Sequence, residues 1–461
     1  MNQAVPPSIF RAYDVRGIVG KTLTPEIATL LGRAFGSEVH ARGFPEVVVG
    51  RDARPSSRAL VAALTDGLRQ SGLDVIDIGE VPTPVLSFAL EHLGTGTGVM
   101  VTGSHNPAGY NGFKFTLAGR ALCGDGIQHL RARIAERYFV RGTGSLRHAE
   151  VVPAYINRVT TGRQLPRRLK VALDCGNGIA GKVAPEILRR VGCEVIECFC
   201  EVDGRFPNHH PDPSRPENLA SLIDTVRRQG CDLGIALDGD GDRLGVVDER
   251  GEIVWPDRLL MRLAIDLLER KPGAMIVYDI KCSSHLADVI RAHDGEPLMW
   301  KSGHSFLRAK MTQEPRALLG GEMSGHLFFR EDWYGFDDAI YASVRLLQVI
   351  AATGGPASGQ FDALPGGVAT PELQVQFERE GAQHEFMRHL TEDVAFPDAN
   401  ITLIDGIRAE FPGGWGLVRA SNTTPSLTLR FEADDADRLA DIQTLFRDKL
   451  HAVDPTLELP F

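Results

Sequence analysis

Apolar residues along this chain fall into short runs parted by polar turns, and the runs recur in one order. Glu46-Val-Val-Val-Gly-Arg51 reads as a strand, a helix capped by Ser56 or Ser57 runs on to Gly72, and Asp74-Val-Ile-Asp-Ile78 reads as the next strand. The order returns from Lys170-Val-Ala-Leu-Asp174 through the polar turn Cys175-Gly-Asn-Gly178 and a helix to Arg190, ending in the strand Glu194 to Cys198. It returns again from Ala274-Met-Ile-Val-Tyr278 through Lys281-Cys-Ser-Ser284 and a helix to His293, ending in Pro297-Leu-Met-Trp300. Each copy is βαβ in character, which predicts a mostly parallel sheet covered by helices.

After each copy an apolar run ends in a polar cluster. Gly98-Val-Met-Val101 leads into Thr102 to Pro107, Gly234-Ile-Ala-Leu237 into Asp238 to Arg243, and Leu318-Leu319 into Gly320 to His326. Open α/β sheets place ligands at the carboxyl ends of their strands. Three such ends facing one cleft would build one site from three different chemical groups.

Two further stretches differ from this repeat. An opening helix is capped by Thr24, carries Pro25 in its first turn and is closed by Gly43. Past Pro365-Gly-Gly367 come strands at 371–377, 401–403, 416–419 and 426–431, a helix around 382–390 and a last helix from Asp435 to Leu450, which reads as a smaller α+β domain. The fold class expected is three related α/β domains with mostly parallel mixed sheets plus a C-terminal α+β domain around a central cleft. The boundaries expected are 1–150, 151–253, 254–365 and 366–461.

Composition narrows the setting. At 461 residues the chain is too long for one core. Its 43% hydrophobic and 24% charged residues are ordinary for a soluble protein, and a net charge of −10 gives a nucleic-acid partner no support. The start of the chain has no basic and apolar signal pattern, and no run is long enough to span a membrane, so a cytoplasmic protein is expected. Seven scattered cysteines without a CxxC pair read as reduced thiols in core positions. Cys198-Phe-Cys200 has soft-metal spacing, but alternation from Val195 more simply puts both thiols on one face of a strand.

The chemistry gathers in the polar clusters. Thr102-Gly-Ser-His-Asn-Pro107 places Ser104 at the mouth of a strand with little bulk around its hydroxyl, where a ligand can reach it; the plain alternative is a turn serine. Asp238-Gly-Asp-Gly-Asp-Arg243 spaces three carboxylates by two, and its glycines let them converge. Such a group needs a hard divalent cation, Mg²⁺ above others. An EF-hand is the rival, since Glu249 stands at the twelfth position, but Arg243 occupies the sixth, where glycine is needed, and both flanks read as strands. Glu322 and Ser324, in Gly321-Glu-Met-Ser-Gly-His326, have the donor and acceptor types that fix sugar hydroxyls. Arg419-Ala-Ser-Asn-Thr-Thr424 makes an anion cradle or a polar hairpin. Tyr13, Arg16, Lys114, Lys281 and His304 stand beside these motifs.

Together these stretches resemble the α-D-phosphohexomutase superfamily, and most of all its bacterial phosphomannomutase/phosphoglucomutase branch. The resemblance runs through Ile9 to Gly17, Thr102 to Pro107, Tyr110 to Lys114, Phe206 to Pro213, Asp238 to Arg243, Lys301 to His304, Gly321 to His326 and Arg419 to Thr424. It implies that Ser104 is phosphorylated and, with Asp238, Asp240 and Asp242, holds Mg²⁺. It makes Glu322 and Ser324 sugar contacts, and Arg419, Ser421, Asn422 and Thr423 the phosphate site. Tyr13, Arg16, Lys114, Arg243, Lys281, His304 and His326 would line the cleft. Met323 looks like the mannose/glucose branch, since phosphoglucosamine mutases usually carry glutamine there. The implied activity is phosphoryl transfer between the 1- and 6-positions of glucose and mannose phosphates through a hexose 1,6-bisphosphate, with no membrane partner and a monomeric chain. A metal-dependent phosphatase, a sugar phosphate sensor and a calcium-binding protein are the other classes open to these residues.

Overall fold

The computed structural model describes residues 5–379, 381–392, 396–422 and 424–461, and within them the chain lays down four sheets in succession. The first holds β1 (Val15–Ile18), β2 (Glu46–Arg51), β3 (Asp74–Glu80), β4 (Gly98–Val101), β5 (Tyr110–Leu117), β6 (Arg120–Ala121) and β7 (Leu146–His148). The second holds β8 (Lys170–Asp174), β9 (Glu194–Cys198), β10 (Leu233–Leu237), β11 (Leu244–Asp248) and β12 (Ile253–Val254). The third holds β13 (Met275–Asp279), β14 (Glu296–Trp300), β15 (Ala317–Gly321) and β16 (Leu327–Phe329). The fourth, antiparallel throughout, holds β17 (Val368–Ala369), β18 (Leu373–Gln376), β19 (Asn400–Thr402), β20 (Ile407–Phe411), β21 (Gly414–Ala420) and β22 (Ser426–Ala433).

The repeat is real at the level of topology. The first three sheets contain the orders β5-β4-β2-β3, β11-β10-β8-β9 and β16-β15-β13-β14. In each, three strands are parallel and the fourth returns antiparallel. The serine loop, the aspartate loop and the Glu322 loop are therefore one and the same connection, the hairpin at the carboxyl end of the third parallel strand. This is where the alternation of apolar runs and polar clusters had placed them.

Side-chain period two decides how the sheets pack. Val48, Ile76 and Met100 of the first sheet face one way, and Val47, Val49, Val75 and Val99 the other. The same split divides Val171, Leu173 and Ile235 from Ala172 and Ala236, and Ile276 and Tyr278 from Met275 and Val277. One face of each of the first three sheets joins a single continuous apolar cluster, while the other packs on its own helices. Length alone predicts separate cores. Instead, the helices Thr83–His92, Val152–Thr160 and Ala339–Thr353 fuse the first three sheets through shared packing. The fourth sheet keeps its own cluster and touches the third through Ile280, Trp415 and Leu417.

Three local expectations are corrected. Neither Ser56 nor Ser57 caps the helix Ser57–Arg69: their hydroxyls accept from Asn111 Nδ2 at 2.8 and 2.9 Å, and Ser57 donates to Asp52. Cys198 and Cys200 do not share a strand face, because β9 ends at Cys198, Phe199 turns left-handed at φ 49°, and Cys200 Sγ swings to 3.5 Å from Cys175 Sγ. The fourth domain has an additional strand, β20, between the two read from sequence. Thr24 caps its helix as expected, accepting from Ile27 N at 3.4 Å. Among the described residues no helix is long and apolar enough to cross a membrane.

Candidate active site

Ser104 sits just past β4, 3% exposed, with a left-handed backbone at φ 50°. Such a conformation is unfavourable for a residue with a Cβ and persists only where its surroundings enforce it. Two residues at the end of β2 do so. Asp52 Oδ2 accepts from Thr102 Oγ1 at 2.8 Å, from Gly103 N at 3.1 Å and from Arg54 Nε at 3.1 Å. Arg54 then donates to the carbonyls of Ser104 (2.7 Å), Asn106 (2.6 Å), Pro107 (2.6 Å) and Tyr110 (3.1 Å). Sequence reasoning missed both residues. Their signal is positional: they follow β2 as the polar turns 175–178 and 281–284 follow the equivalent strands.

The aspartate loop faces Ser104 directly. Ser104 Oγ donates to Asp238 Oδ2 at 3.0 Å and lies 3.1 Å from His105 Nδ1. A Cβ on Gly239 would stand 2.4 Å from Ser104 O, so glycine is what lets the two loops touch. The backbone curls as its glycines allow: Asp238 Oδ1 accepts from the amides of Gly241, Asp242 and Arg243 at 3.0, 3.0 and 3.1 Å. Asp238, Asp240 and Asp242 are fully buried, with an oxygen of each within 4.8 Å of the others. Burial, then Asp242 and Asp240, push the Asp238 carboxyl well above the usual carboxylate range. Among the described residues, Asp240 Oδ1 and Asp242 Oδ1 have no hydrogen-bond partner. Three converging carboxylates with two orphaned oxygens suit a hard divalent cation.

Cations surround this pair of loops. Lys114 projects from β5 on the face opposite its core neighbours Phe113 and Phe115, reaching Asp240 at 2.7 Å and Asp242 at 2.5 Å. Burial opposes the ammonium, but the two aspartates outweigh it and hold its pKa above the ordinary lysine range. Arg16 donates to Asn106 Oδ1 at 2.9 Å and to Asp14 at 2.6 Å. Burial, and then the charges of Arg243, Arg16 and Lys114, hold the His105 imidazole well below its usual pKa. That environment favours a group of two negative charges on Ser104.

The third loop docks on the second. Leu244 N donates to Gly325 O at 3.0 Å, and Arg243 Nε to His326 Nε2 at 3.2 Å. Glu322 accepts from Gly303 N, and burial raises its pKa. Ser324 is half-buried in the same loop. His304 opens the helix His304–Gln313, with Tyr13 edge-on to its ring at 5.3 Å. Burial, then Asp14 and Glu322, raise the Tyr13 pKa against the pull of Arg243 and Arg419, so the tyrosine stands among all of them.

The fourth sheet contributes Arg419, 6% exposed, whose Nε and Nη2 donate to Asp405 at 3.0 and 3.3 Å. Asp405 also accepts from Ser302 N at 3.0 Å, tying this loop to the third domain. Lys281 donates to Glu372 at 2.9 Å. Ser421 is pinned by its amide to Ser426 O at 2.8 Å and Asn422 is half-buried, while Thr423 lies outside the described residues.

Three repeats that each bring one hairpin to a shared cleft, and a fourth domain that brings a basic loop to it, define a phosphohexomutase. The chain belongs to the phosphoglucomutase/phosphomannomutase family: models of its alpha/beta/alpha domains I, II and III match residues 7–141, 153–251 and 255–366, and its C-terminal domain matches 372–449. The phosphomannomutase/phosphoglucomutase of Pseudomonas aeruginosa is 50% identical over 457 residues, covering 99% of this chain and 98% of that protein. The phosphoglucomutase of Neisseria gonorrhoeae is 45% identical, covering 96% and 97%. A crystal structure of a family protein from Burkholderia thailandensis superposes with a TM-score of 0.94 at 48% identity, covering 99% of this chain and 100% of that one. The family transfers a phosphoryl group between the 1- and 6-positions of hexose phosphates, and this chain is an isomerase of that kind.

Proposed function

We propose that the enzyme interconverts the 1- and 6-phosphates of glucose and mannose through phosphoserine 104 and a hexose 1,6-bisphosphate. The observation that carries this reading is the contact of Ser104 Oγ with Asp238 at 3.0 Å, beside two carboxylate oxygens without partners among the described residues. The relatives' names pair the two sugars, which differ only in configuration at one carbon. Asp238, Asp240 and Asp242, with the seryl phosphate, hold Mg²⁺. When bound, the cation supplies charge neutralisation on the phosphoryl oxygens.

The chain's own groups do the rest, and phosphoryl transfer asks mainly for positioning and charge stabilisation. The free hydroxyl of a hexose phosphate attacks phosphorus as the Ser104 Oγ–P bond breaks. Its proton passes to a cleft base, for which His304 and His326 are the candidates; Lys114, read from sequence as a third, is held as an ammonium between Asp240 and Asp242 and has no lone pair to offer. Arg16, Lys114 and Arg243 face the charge that spreads over the phosphoryl oxygens. The bisphosphate then turns over, and Ser104 Oγ takes the other phosphoryl group back. Glu322 and Ser324 bind sugar hydroxyls. Lys281, Arg419, Ser421 and Asn422 hold the phosphate that is not reacting, from a domain whose separate core suits hinge closure. The cleft is complete within one chain, which supports a monomer, and free cysteines support a reducing cytoplasm. The four domains are taken as 1–150, 151–253, 254–365 and 366–461.

The test is conversion of glucose 1-phosphate and mannose 1-phosphate to their 6-phosphates with Mg²⁺ and a trace of bisphosphate, together with intact-protein mass. EDTA is expected to stop turnover. Ser104→Ala is expected to lose both the labile phosphoryl mass and nearly all activity while still binding sugar phosphate. Release of inorganic phosphate in place of isomerisation would mean a phosphatase, and full activity of Ser104→Ala would sink the phosphoserine assignment.

A further inference from the structure

Two candidate groups of the cleft meet at a carboxylate that no motif marks. Asp337 Oδ2 lies 3.0 Å from His326 Nδ1 and 3.2 Å from His304 Nδ1. The two imidazoles stack with centroids 5.1 Å apart and 19° between their planes. Asp337 and His326 are each 4% exposed. Among the described residues, neither Asp337 Oδ2 nor His326 Nδ1 meets any partner in full hydrogen-bond geometry, so the carboxylate and the ring lie within reach of each other with both polar atoms unclaimed. The carboxylate cannot wander, because its backbone is fixed on both sides. Asp337 bridges Phe328, while the Asp338 side chain accepts from Tyr341 N at 2.8 Å and from Tyr155 Oη at 3.0 Å.

The other face of His326 decides where its proton sits. Nε2 lies 3.2 Å from Arg243 Nε–H, and a guanidinium only donates. Nε2 must therefore present its lone pair, and the one proton of the neutral ring stays on Nδ1. On that side Asp337 Oδ2 is the nearer acceptor at 3.0 Å, with Asp242 Oδ1 farther off at 3.7 Å. A carboxylate on one imidazole nitrogen is the usual device for fixing the role of the other.

We propose that Asp337 is a positioning residue that holds His304 and His326 together as Nδ1–H tautomers and, through Nε2 of His326, sets the direction of the Arg243 guanidinium. The proposal rests on the reading of Arg243 and the histidines as cleft groups. One carboxylate accepting from two imidazoles keeps both rings in a single arrangement. Both rings face the same oxygen, Oδ2, so Asp337→Leu removes the acceptor they share. His326 then keeps Nδ1–H through Arg243 alone, while His304 loses the carboxylate that favours Nδ1–H and is free to move its proton to Nε2.

The experiment is ¹⁵N spectroscopy of histidine-labelled full-length enzyme at mildly alkaline pH, with His304→Gln and His326→Gln to assign the signals. Both rings are expected as Nδ1–H in the wild type, and His304 is expected to gain Nε2–H in Asp337→Leu. That variant is expected to lose roughly 10–100-fold in kcat with KM held within about twofold, the scale of lost imidazole-orienting partners. A wild-type His326 that is Nε2–H or doubly protonated overturns the proposal even if Asp337→Leu fails to fold. So does a variant that loses activity with both tautomers unchanged, since that marks a merely structural carboxylate. A wild type without mutase turnover is a separate failure: it removes the functional reading, while the spectra still decide the tautomers.

Discussion

Gly239→Ala tests whether the serine and aspartate loops must touch. The backbone there is not left-handed, so alanine brings no conformational strain of its own. What it brings is a methyl 2.4 Å from Ser104 O and 3.3 Å from Pro211 Cγ, and ordinary contact begins at 3.4 Å. The first gap is a full ångström short. Neither side yields easily: Ser104 O is held by Arg54 at 2.7 Å, while Gly239 donates to Pro211 O at 3.2 Å and accepts from Ile179 N at 3.1 Å. The two loops must part, and Ser104 Oγ leaves its 3.0 Å contact with Asp238. A misplacement of about 1 Å at reacting groups costs on the order of 10²-fold in rate. Overpacking costs about 1–3 kcal/mol of stability, which a chain of this size should tolerate. The assay is steady-state mutase turnover at saturating bisphosphate, alongside thermal unfolding. Gly109→Ala is the control, since it lies in the same loop region with open space around its Cβ. Gly109→Ala should keep near wild-type kcat while Gly239→Ala loses roughly a hundredfold. If Gly239→Ala stays folded and within about twofold of wild type, close approach of the loops is not what turnover needs.

Three more outcomes are expected. Arg54→Ala frees four carbonyls and leaves Asp52 buried without its partner, so the first unfolding transition should fall by about 3–5 kcal/mol and kcat should drop with it; unchanged stability would mean that the clamp is not structural. Arg419→Ala should raise KM for sugar phosphate about 10–100-fold, the range of a charge-assisted phosphate contact, while kcat at saturation changes far less; an unaltered KM would remove Arg419 from the phosphate site. Asp338 has its carboxyl raised to about 7, burial outweighing its bonds from Tyr341 N and Tyr155 Oη. A folded pKa above the unfolded 3.8 means the native state holds the extra proton, so this group stabilises fully below pH 4 and its contribution fades as pH rises toward 7. The span corresponds to about 4 kcal/mol at most. Urea midpoints of wild type and Asp338→Asn should therefore shift in favour of the variant between pH 5 and pH 8, and a pH-independent difference would show that Asp338 does not titrate there.

The sequence alone carried the repeat and its chemistry. Continuous apolar runs dictate strands buried on both faces, and a polar cluster after each third strand must lie outside the sheet, where a ligand can meet it. Asp238, Asp240 and Asp242 were legible because carboxylates at that spacing among glycines have few other uses. Ser104 was legible because Asn106-Pro107 ends the strand beside it. Tertiary structure decided what spacing cannot encode. Arg54 lies 50 residues before Ser104 and gives its bonds to backbone carbonyls, which leave no trace in the serine motif. Asp337 reads as an ordinary residue ahead of a helix until packing brings two imidazoles to it, and Asp405 as a turn residue until Arg419 folds back onto it. The shared core of the first three sheets belongs to the same class. Each strand shows that it has two apolar faces, but which face meets another sheet depends on helices supplied by distant parts of the chain, and only their packing settles it.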